Sequence, residues 1–138
     1  MSGLPATGKD HWIAGHAAER PVVSLDAIRS DLGIAPDDNQ GAVVTAAKER
    51  ARSHLRCSES FVWNATNTTR PMRAQLISLF HQYGARIRIV YAETGWEELL
   101  RRNRRRSAPV PQEVIAKLAR KLDVPNVREG HRVDYVVS

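Results

Sequence analysis

Near the start of the chain, Gly3, Gly8 and Lys9 fit the spacing G-x-x-x-x-G-K. A loop of that kind curls its backbone N–H groups around a polyphosphate, and its lysine reaches the terminal phosphates. The helix that follows adds the positive end of its dipole. The pattern constrains the fold because such a loop links a strand to a helix. From Asp10 to Ala18 the chain reads as the start of that helix, with Trp12, Ile13 and Ala17 at helical spacing. Two positions depart from the usual pattern. Asp10 stands where Ser or Thr would ordinarily hold Mg²⁺, and the loop begins at residue 3, so the strand that feeds it is expected to be lacking.

The 138 residues are enough for one domain with a real core, taken as residues 1–138. No apolar run approaches the roughly 18 residues of a membrane span, and nothing resembles a signal peptide. The single cysteine, Cys57, excludes an internal disulfide framework, which makes a reducing cytoplasm the expected location. Cys57 itself is expected to be a packed residue at a helix end rather than a nucleophile. The formal net charge is +6, and arginine supplies most of the basic residues. Arginine binds phosphate through planar, bidentate contacts, so the composition favours phosphate-rich partners without separating a nucleotide from a nucleic acid.

Strands and helices alternate along the chain. Strands are predicted at Val22–Leu25, Ser60–Asn64, Arg86–Ala92 and Arg132–Val137. Helices are predicted at Ala27–Leu32, closed by Gly33, and from Gly41 to about Arg56 after a polar loop at Ala35–Asn39. A further helix starts at a Thr69 cap with Pro71 in its first turn and runs to Tyr83 before Gly84. Trp96–Arg105 and Gln112–Lys121 are helical, separated by a break at Pro109–Pro111. This alternation with apolar strands means α/β architecture, a parallel sheet covered by helices on both faces. Ligands of such sheets sit at the carboxyl ends of the strands, which points to the residues just after 25, 64 and 92.

Three clusters occupy such positions. Asp26 and Arg29 follow the first predicted strand, one helical turn apart. A carboxylate there can accept the proton of an attacking hydroxyl and an arginine can hold an acceptor phosphate, whereas the same aspartate would also serve as a helix N-cap. After the second strand, Asn64-Ala-Thr-Asn-Thr-Thr-Arg-Pro-Met-Arg73 is either turn chemistry or a ligand shelf. The third is the run Leu100-Arg-Arg-Asn-Arg-Arg-Arg-Ser-Ala-Pro-Val-Pro111, whose crowded arginines repel one another without anions nearby. It reads either as a solvated nucleic-acid-binding patch or as a lid that brings arginines over a transferring phosphate.

Taken in order, the loop, S-L-D-A-I-R, N-A-T-N with R-P-M-R, and R-R-N-R-R-R-S-A-P-V-P resemble the polynucleotide 5′-kinase family of P-loop phosphotransferases. The resemblance spans nearly the whole chain, with Glu129 and the Arg132–Val137 segment similar to the family's closing part. It implies a P-loop kinase-like three-layer α/β/α fold with an arginine lid over about residues 96–121. It also implies transfer of the γ-phosphate of ATP, with Mg²⁺, to a 5′-hydroxyl of single-stranded DNA or RNA. Carried over by position, Gly3, Leu4, Pro5, Ala6, Thr7, Gly8, Lys9 and Asp10 would hold the ATP phosphates. Asp26 would be the general base, and Arg29, with Arg70 and Arg73, would contact the acceptor. Arg102 and Arg106 would act on the donor phosphates beside Lys9. The family usually has aspartate where Asn64 stands, so Asp10 is expected to supply on the metal side the charge that Asn64 lacks.

Two other readings are a P-loop kinase acting on a small-molecule hydroxyl and a non-catalytic nucleotide- or nucleic-acid-binding module. His11, His16, His54, His81 and His131 show no metal-ligand spacing. Trp12, Trp63 and Trp96 each sit in a periodic apolar segment and are expected to pack in the core.

Overall fold

Among the described residues, some helices carry a stripe of buried apolar residues and some open on a hydroxyl cap. The computed structural model describes residues 1–35 and 37–138. In chain order the elements are α1 (Lys9–His16), β1 (Val22–Ser24), α2 (Leu25–Leu32), α3 (Gly41–Arg56), β2 (Val62–Asn64), α4 (Arg70–Gln82), β3 (Arg88–Glu93), α5 (Trp96–Arg104), α6 (Gln112–Arg120) and β4 (Arg132–Val137). Every predicted helix and strand is present, with ends shifted by a residue or two. Pro36, within the predicted polar loop, lies outside the described residues.

Val43, Ala47, Ala51 and Leu55 recur at helical spacing along α3 and are buried. Val43, Ala47 and Ala51 pack with Val23, Ile28 and Trp63, and Phe61, Leu76 and Phe80 cover the edge of this cluster. Ile28 is fully buried, which stabilises the fold by roughly 1.5–3 kcal/mol. A second cluster joins Leu4 of the glycine loop to Leu99 of α5 and Ile115 of α6. Local caps work as the sequence suggests at α4, where the Thr69 hydroxyl accepts from the Met72 N–H. At α2 the cap is Ser24, whose hydroxyl accepts from the Ala27 N–H, which leaves Asp26 in the first turn with its carboxylate uncommitted to capping.

The strands pair in parallel as two ladders. Val22, Val23 and Ser24 lie opposite Val62, Trp63 and Asn64, and β3 lies opposite β4 from Arg88↔Arg132 to Glu93↔Val137. The first three residues hold the ladders together. The Ser2 N–H donates to the Val90 carbonyl and the Ser2 carbonyl accepts from the Ala92 N–H, a parallel bridge to Tyr91. On the other side the Met1 amine donates to the Trp63 carbonyl and the Gly3 N–H to the Thr66 carbonyl. The place of the strand expected to be lacking is therefore held by a single rung, from which the chain enters the loop. Helices cover the strands to give a three-layer α/β/α architecture.

Two expected core residues lie at the surface. Cys57 is exposed because it follows α3, beyond the stripe that ends at Leu55. Trp96 is 42% exposed because it opens α5 before the buried positions Leu99 and Asn103. Trp63 is buried as expected. Among the described residues no helix is long and apolar enough to cross a membrane.

Candidate functional site

The loop from Gly3 to Lys9 is shaped by backbone angles that few residues adopt. Gly3 has φ 144° and Gly8 φ 94°. A Cβ at Gly3 would fall 2.4 Å from the Ala92 carbonyl oxygen, so the loop can pass β3 only without a side chain there. Thr7 is buried and its hydroxyl donates to the Leu4 carbonyl at 2.8 Å, which closes the loop on itself. Lys9 folds over the loop and donates from Nζ to the carbonyls of Gly3 at 3.0 Å and Leu4 at 2.8 Å. Burial lowers its pKa to about 8. The nearby carboxylates of Asp10 and Asp26 oppose that shift, and Arg106 adds to it.

A cleft of about 310 Å³ opens beside the loop. Its floor is the loop and the carboxyl end of β2, its near wall is the start of α2, and Arg102, Arg106 and Val110 line it on the side of α5. The structure thus brings Lys9, Asp10, Asp26, Arg29, Arg102 and Arg106 around one space. Strand-end placement accounts for this, since Asp26 follows β1 and Asn64 ends β2.

Within the cleft the charges are already oriented. Asp26 accepts from Arg29 Nη1 at 2.5 Å, and Arg29 Nε donates to Gln40 Oε1 at 2.6 Å. Asn64 Nδ2 donates to Asp10 Oδ1 at 2.7 Å, while Asn64 Oδ1 is buried without a hydrogen-bond partner. A carboxylate beside an unsatisfied amide oxygen is a donor set that suits a hard cation, which takes oxygen ligands and keeps most of its other positions for water and phosphate. Asp10 and Asn64 therefore fit Mg²⁺, although the described residues contain no cluster of three or more His, Cys, Asp or Glu side chains of that kind.

Arg102 is held from behind. Glu98 accepts from Arg102 Nε at 2.6 Å and pairs also with Arg101. The hydrogen bond from Arg102 holds the Glu98 carboxyl below its usual range, with further lowering by Arg101. Arg102 Nη1 donates to the Ser138 hydroxyl and lies 3.7 Å from where a Cβ on Gly8 would be, so it reaches directly over the loop. Buried Asn103 donates to the Val110 carbonyl at 2.7 Å and accepts from the Val110 N–H at 3.0 Å, tying the end of α5 to the turn before α6. Asn103, Glu98 and Gln40 are positioning residues that sequence reasoning missed. The only signal for Asn103 was a neutral residue within an arginine run.

Arg70 and Arg73 are not brought to this cleft. Arg73 is only 3% exposed and is enclosed by Glu129, at 2.9 and 3.3 Å, and the Asn67 carbonyl at 3.0 Å. Its guanidinium is taken up by that pairing, so Arg73, expected at the acceptor, does not line the cleft beside the loop. Burial raises the Glu129 carboxyl, but hydrogen bonds from Arg73 and the Asn126 N–H outweigh it and hold the group below its usual range. Arg70 opens α4, and its backbone N–H donates to Asp123.

Residues 1–125 match the family model described as an AAA domain. Among solved structures the chain is similar to a candidate kinase from Chloroflexus aurantiacus, with TM-score 0.75, 16% identity, and 99% of this chain and 84% of that one covered. It is also similar to a gluconokinase from Sinorhizobium meliloti, with TM-score 0.65, 22% identity and coverage of 99% and 79%. A sugar kinase from a Janibacter species aligns with TM-score 0.65 at 13% identity, covering 99% and 81%. At these identities the likeness is one of fold, a P-loop kinase-like arrangement of three layers.

Proposed function

Since the chain belongs to the AAA domain family, we propose that it is an ATP-dependent kinase whose acceptor is a hydroxyl group of a small polar molecule. The observation that carries the small-molecule reading is the burial of Arg73 against Glu129. Among the described residues it leaves Arg29 as the one arginine on the acceptor side of a compact cleft, too few positive contacts for a long polyanion. The likeness to a gluconokinase and a sugar kinase supports the same direction.

In this reading the backbone N–H groups from Gly3 to Asp10 and the Lys9 ammonium bind the β- and γ-phosphates of ATP. Asp26 accepts the proton of the acceptor hydroxyl as its oxygen bonds to the γ-phosphorus and the bond to the β-phosphate oxygen breaks, releasing ADP. Arg29 orients the acceptor and, by pairing with Asp26, keeps that carboxylate aimed. Arg102 and Arg106 stabilise charge that develops on the transferring group. Asp10 would hold Mg²⁺, oriented by Asn64; when bound, the ion neutralises phosphate charge.

A second reading is transfer to the 5′-hydroxyl of single-stranded DNA or RNA. The exposed Arg101, Arg104 and Arg105 beside the lid favour it, since they could follow a nucleic-acid backbone leaving the cleft. The test is phosphate transfer from γ-labelled ATP to a panel of sugars, polyols and nucleosides, run against 5′-hydroxyl oligonucleotides. Labelling of a small acceptor that vanishes with Lys9→Ala and Asp26→Asn supports the first reading. Labelling confined to oligonucleotides selects the second, and no labelled acceptor with intact ATP binding leaves a nucleotide-binding module.

A further inference from the structure

Asp26 and Arg29 line the cleft from one turn of α2, yet that turn does not by itself fix the guanidinium. An arginine side chain has many rotamers. The Asp26 carboxylate is largely in water, where an ion pair to a neighbouring arginine holds little. The orientation comes from a second contact. Arg29 Nε donates at 2.6 Å to Oε1 of Gln40, a residue 11 positions further on. With Nε on Gln40 and Nη1 on Asp26, Nη2 is the guanidinium nitrogen left without a partner among the described residues.

Gln40 is itself firmly placed. It is the N-cap residue of α3, and its backbone carbonyl accepts from the Val44 N–H at 3.0 Å. That helix is anchored in the core by Val43, Ala47 and Ala51. The Gln40 side chain makes no capping bond. Its amide nitrogen donates instead to the carbonyls of Ala35 at 3.0 Å and Asp38 at 2.6 Å. Arginine Nε can only donate and a carbonyl can only accept, so the amide has one way round, oxygen to Arg29 and nitrogen to the carbonyls. A glutamate would keep the first contact and lose the second, and an apolar residue would lose both. Gln40 is not among the residues that line the cleft, so its influence on the site passes through Arg29.

We propose that Gln40 governs the acceptor half of the site: by fixing Arg29 it sets how tightly an acceptor is held against Asp26. The inference rests on the kinase reading. The amide holds the guanidinium so that Nη1 stays on Asp26 while Nη2 remains for the acceptor. One arginine then aligns both the acceptor and the carboxylate that takes its proton. The nucleotide half is held by other bonds, from Lys9 to the Gly3 and Leu4 carbonyls and from Arg102 to Glu98 and Ser138. Gln40 thus acts on acceptor binding and leaves ATP binding alone.

The test is a double-mutant cycle in the full chain, run on the acceptor that the labelling panel identifies and read in single turnover so that slow variants still count. Gln40→Met is expected to raise acceptor KM by about 10-fold, the loss of one hydrogen bond to a charged group, with ATP KM unchanged. In an Arg29→Met background the same substitution should add nothing. Gln40→Glu keeps an oxygen for Nε, so its acceptor KM should fall between those of the wild type and Gln40→Met. It also carries the test if the methionine variant fails to fold. Additive losses in the cycle overturn the proposal, as does a parallel rise in ATP KM, because Gln40 would then act on the fold rather than through Arg29. The Arg29 Nε–H resonance is read without any activity. It should exchange slowly with water in the wild type and in Gln40→Glu, and rapidly in Gln40→Met. Rapid exchange in the wild type overturns the contact itself. A slow resonance with no labelled acceptor overturns the kinase reading, and the acceptor role of Gln40 with it.

Discussion

Asn64 donates to Asp10 at 2.7 Å across 54 positions of sequence, so the residue after the loop lysine and the last residue of β2 form one polar unit. In the proposed reading, Asp10 supplies the charge that Asn64 lacks, and the amide orients it. If this pair holds Mg²⁺, Asp10→Ala removes the charged ligand, whereas Asn64→Ala removes one neutral oxygen and the amide that orients Asp10. Loss of an orienting partner costs about 10-fold in metal affinity, at the lower end of the usual range. We expect Asn64→Ala to weaken Mg²⁺-dependent ATP binding by about that factor and Asp10→Ala by about 100-fold. Titration calorimetry with and without Mg²⁺ checks it. Equal losses, or losses that persist in EDTA, count against the assignment.

Lys9 predicts a pH dependence whose sign differs for binding and for folding. Its pKa is lowered to about 8, so it is charged at pH 7 and becomes neutral as pH rises through 8. Phosphate prefers the charged form, so nucleotide affinity should be flat from pH 6 to 7, decline above about 8, and show proton uptake on binding there. For folding of the free protein the sign is reversed. The folded state disfavours the charge, so this group's contribution to stability increases from about pH 8 to the unfolded value of 10.5. Calorimetry in buffers of different ionisation enthalpy measures the uptake, and Lys9→Ala should abolish both it and most binding.

Arg73 and Glu129 predict a stability effect rather than a substrate effect. The pair is buried, and removing one partner strands the other, which costs about 3–5 kcal/mol. Arg73→Ala and Glu129→Ala should each lower the melting temperature strongly, as read by thermal denaturation, and leave acceptor KM unchanged at a temperature where the fold is intact. The Glu129 carboxyl is held below its usual range, so its contribution is present above the unfolded pKa of about 4.3 and is lost as pH falls through the folded value. A selective rise in KM in the Arg73 variant would return this residue to the acceptor.

How much of this could be read in advance follows from the range of each interaction. The spacing of Val43, Ala47 and Ala51 marked the buried face of α3, and Thr69 with Pro71 marked the start of α4, because those signals lie within a few residues. Asp26 and Arg29 were placed together because they share one helical turn. The fate of Arg73 was hidden because its partner lies 56 positions away. The Ser2 rung was hidden for the same reason, since its partner strand begins at Arg88. The sequence pattern also treated residues 101–106 as one charged run, although Asn103 faces inward.

Asn103 offers the sharpest test of the lid. It satisfies both the N–H and the carbonyl of Val110, and Arg106 in turn donates its backbone N–H to the Asn103 carbonyl. Asn103→Ala removes both side-chain bonds and leaves two backbone groups without those partners, each worth about 1–3 kcal/mol if they stay dry. The turn that carries Arg106 should then relax toward water. A small displacement of a group acting on the transition state can cost about 100-fold in rate. We therefore expect Asn103→Ala to lower kcat by about 10- to 100-fold with little change in ATP affinity, because Lys9 and the loop amides remain in place. Asn103→Asp retains an acceptor for the Val110 N–H but cannot donate to its carbonyl, and should fall between the two. Single-turnover kinetics alongside equilibrium nucleotide binding separates the effects. Loss of binding in step with rate would mean that Asn103 supports the loop rather than the lid.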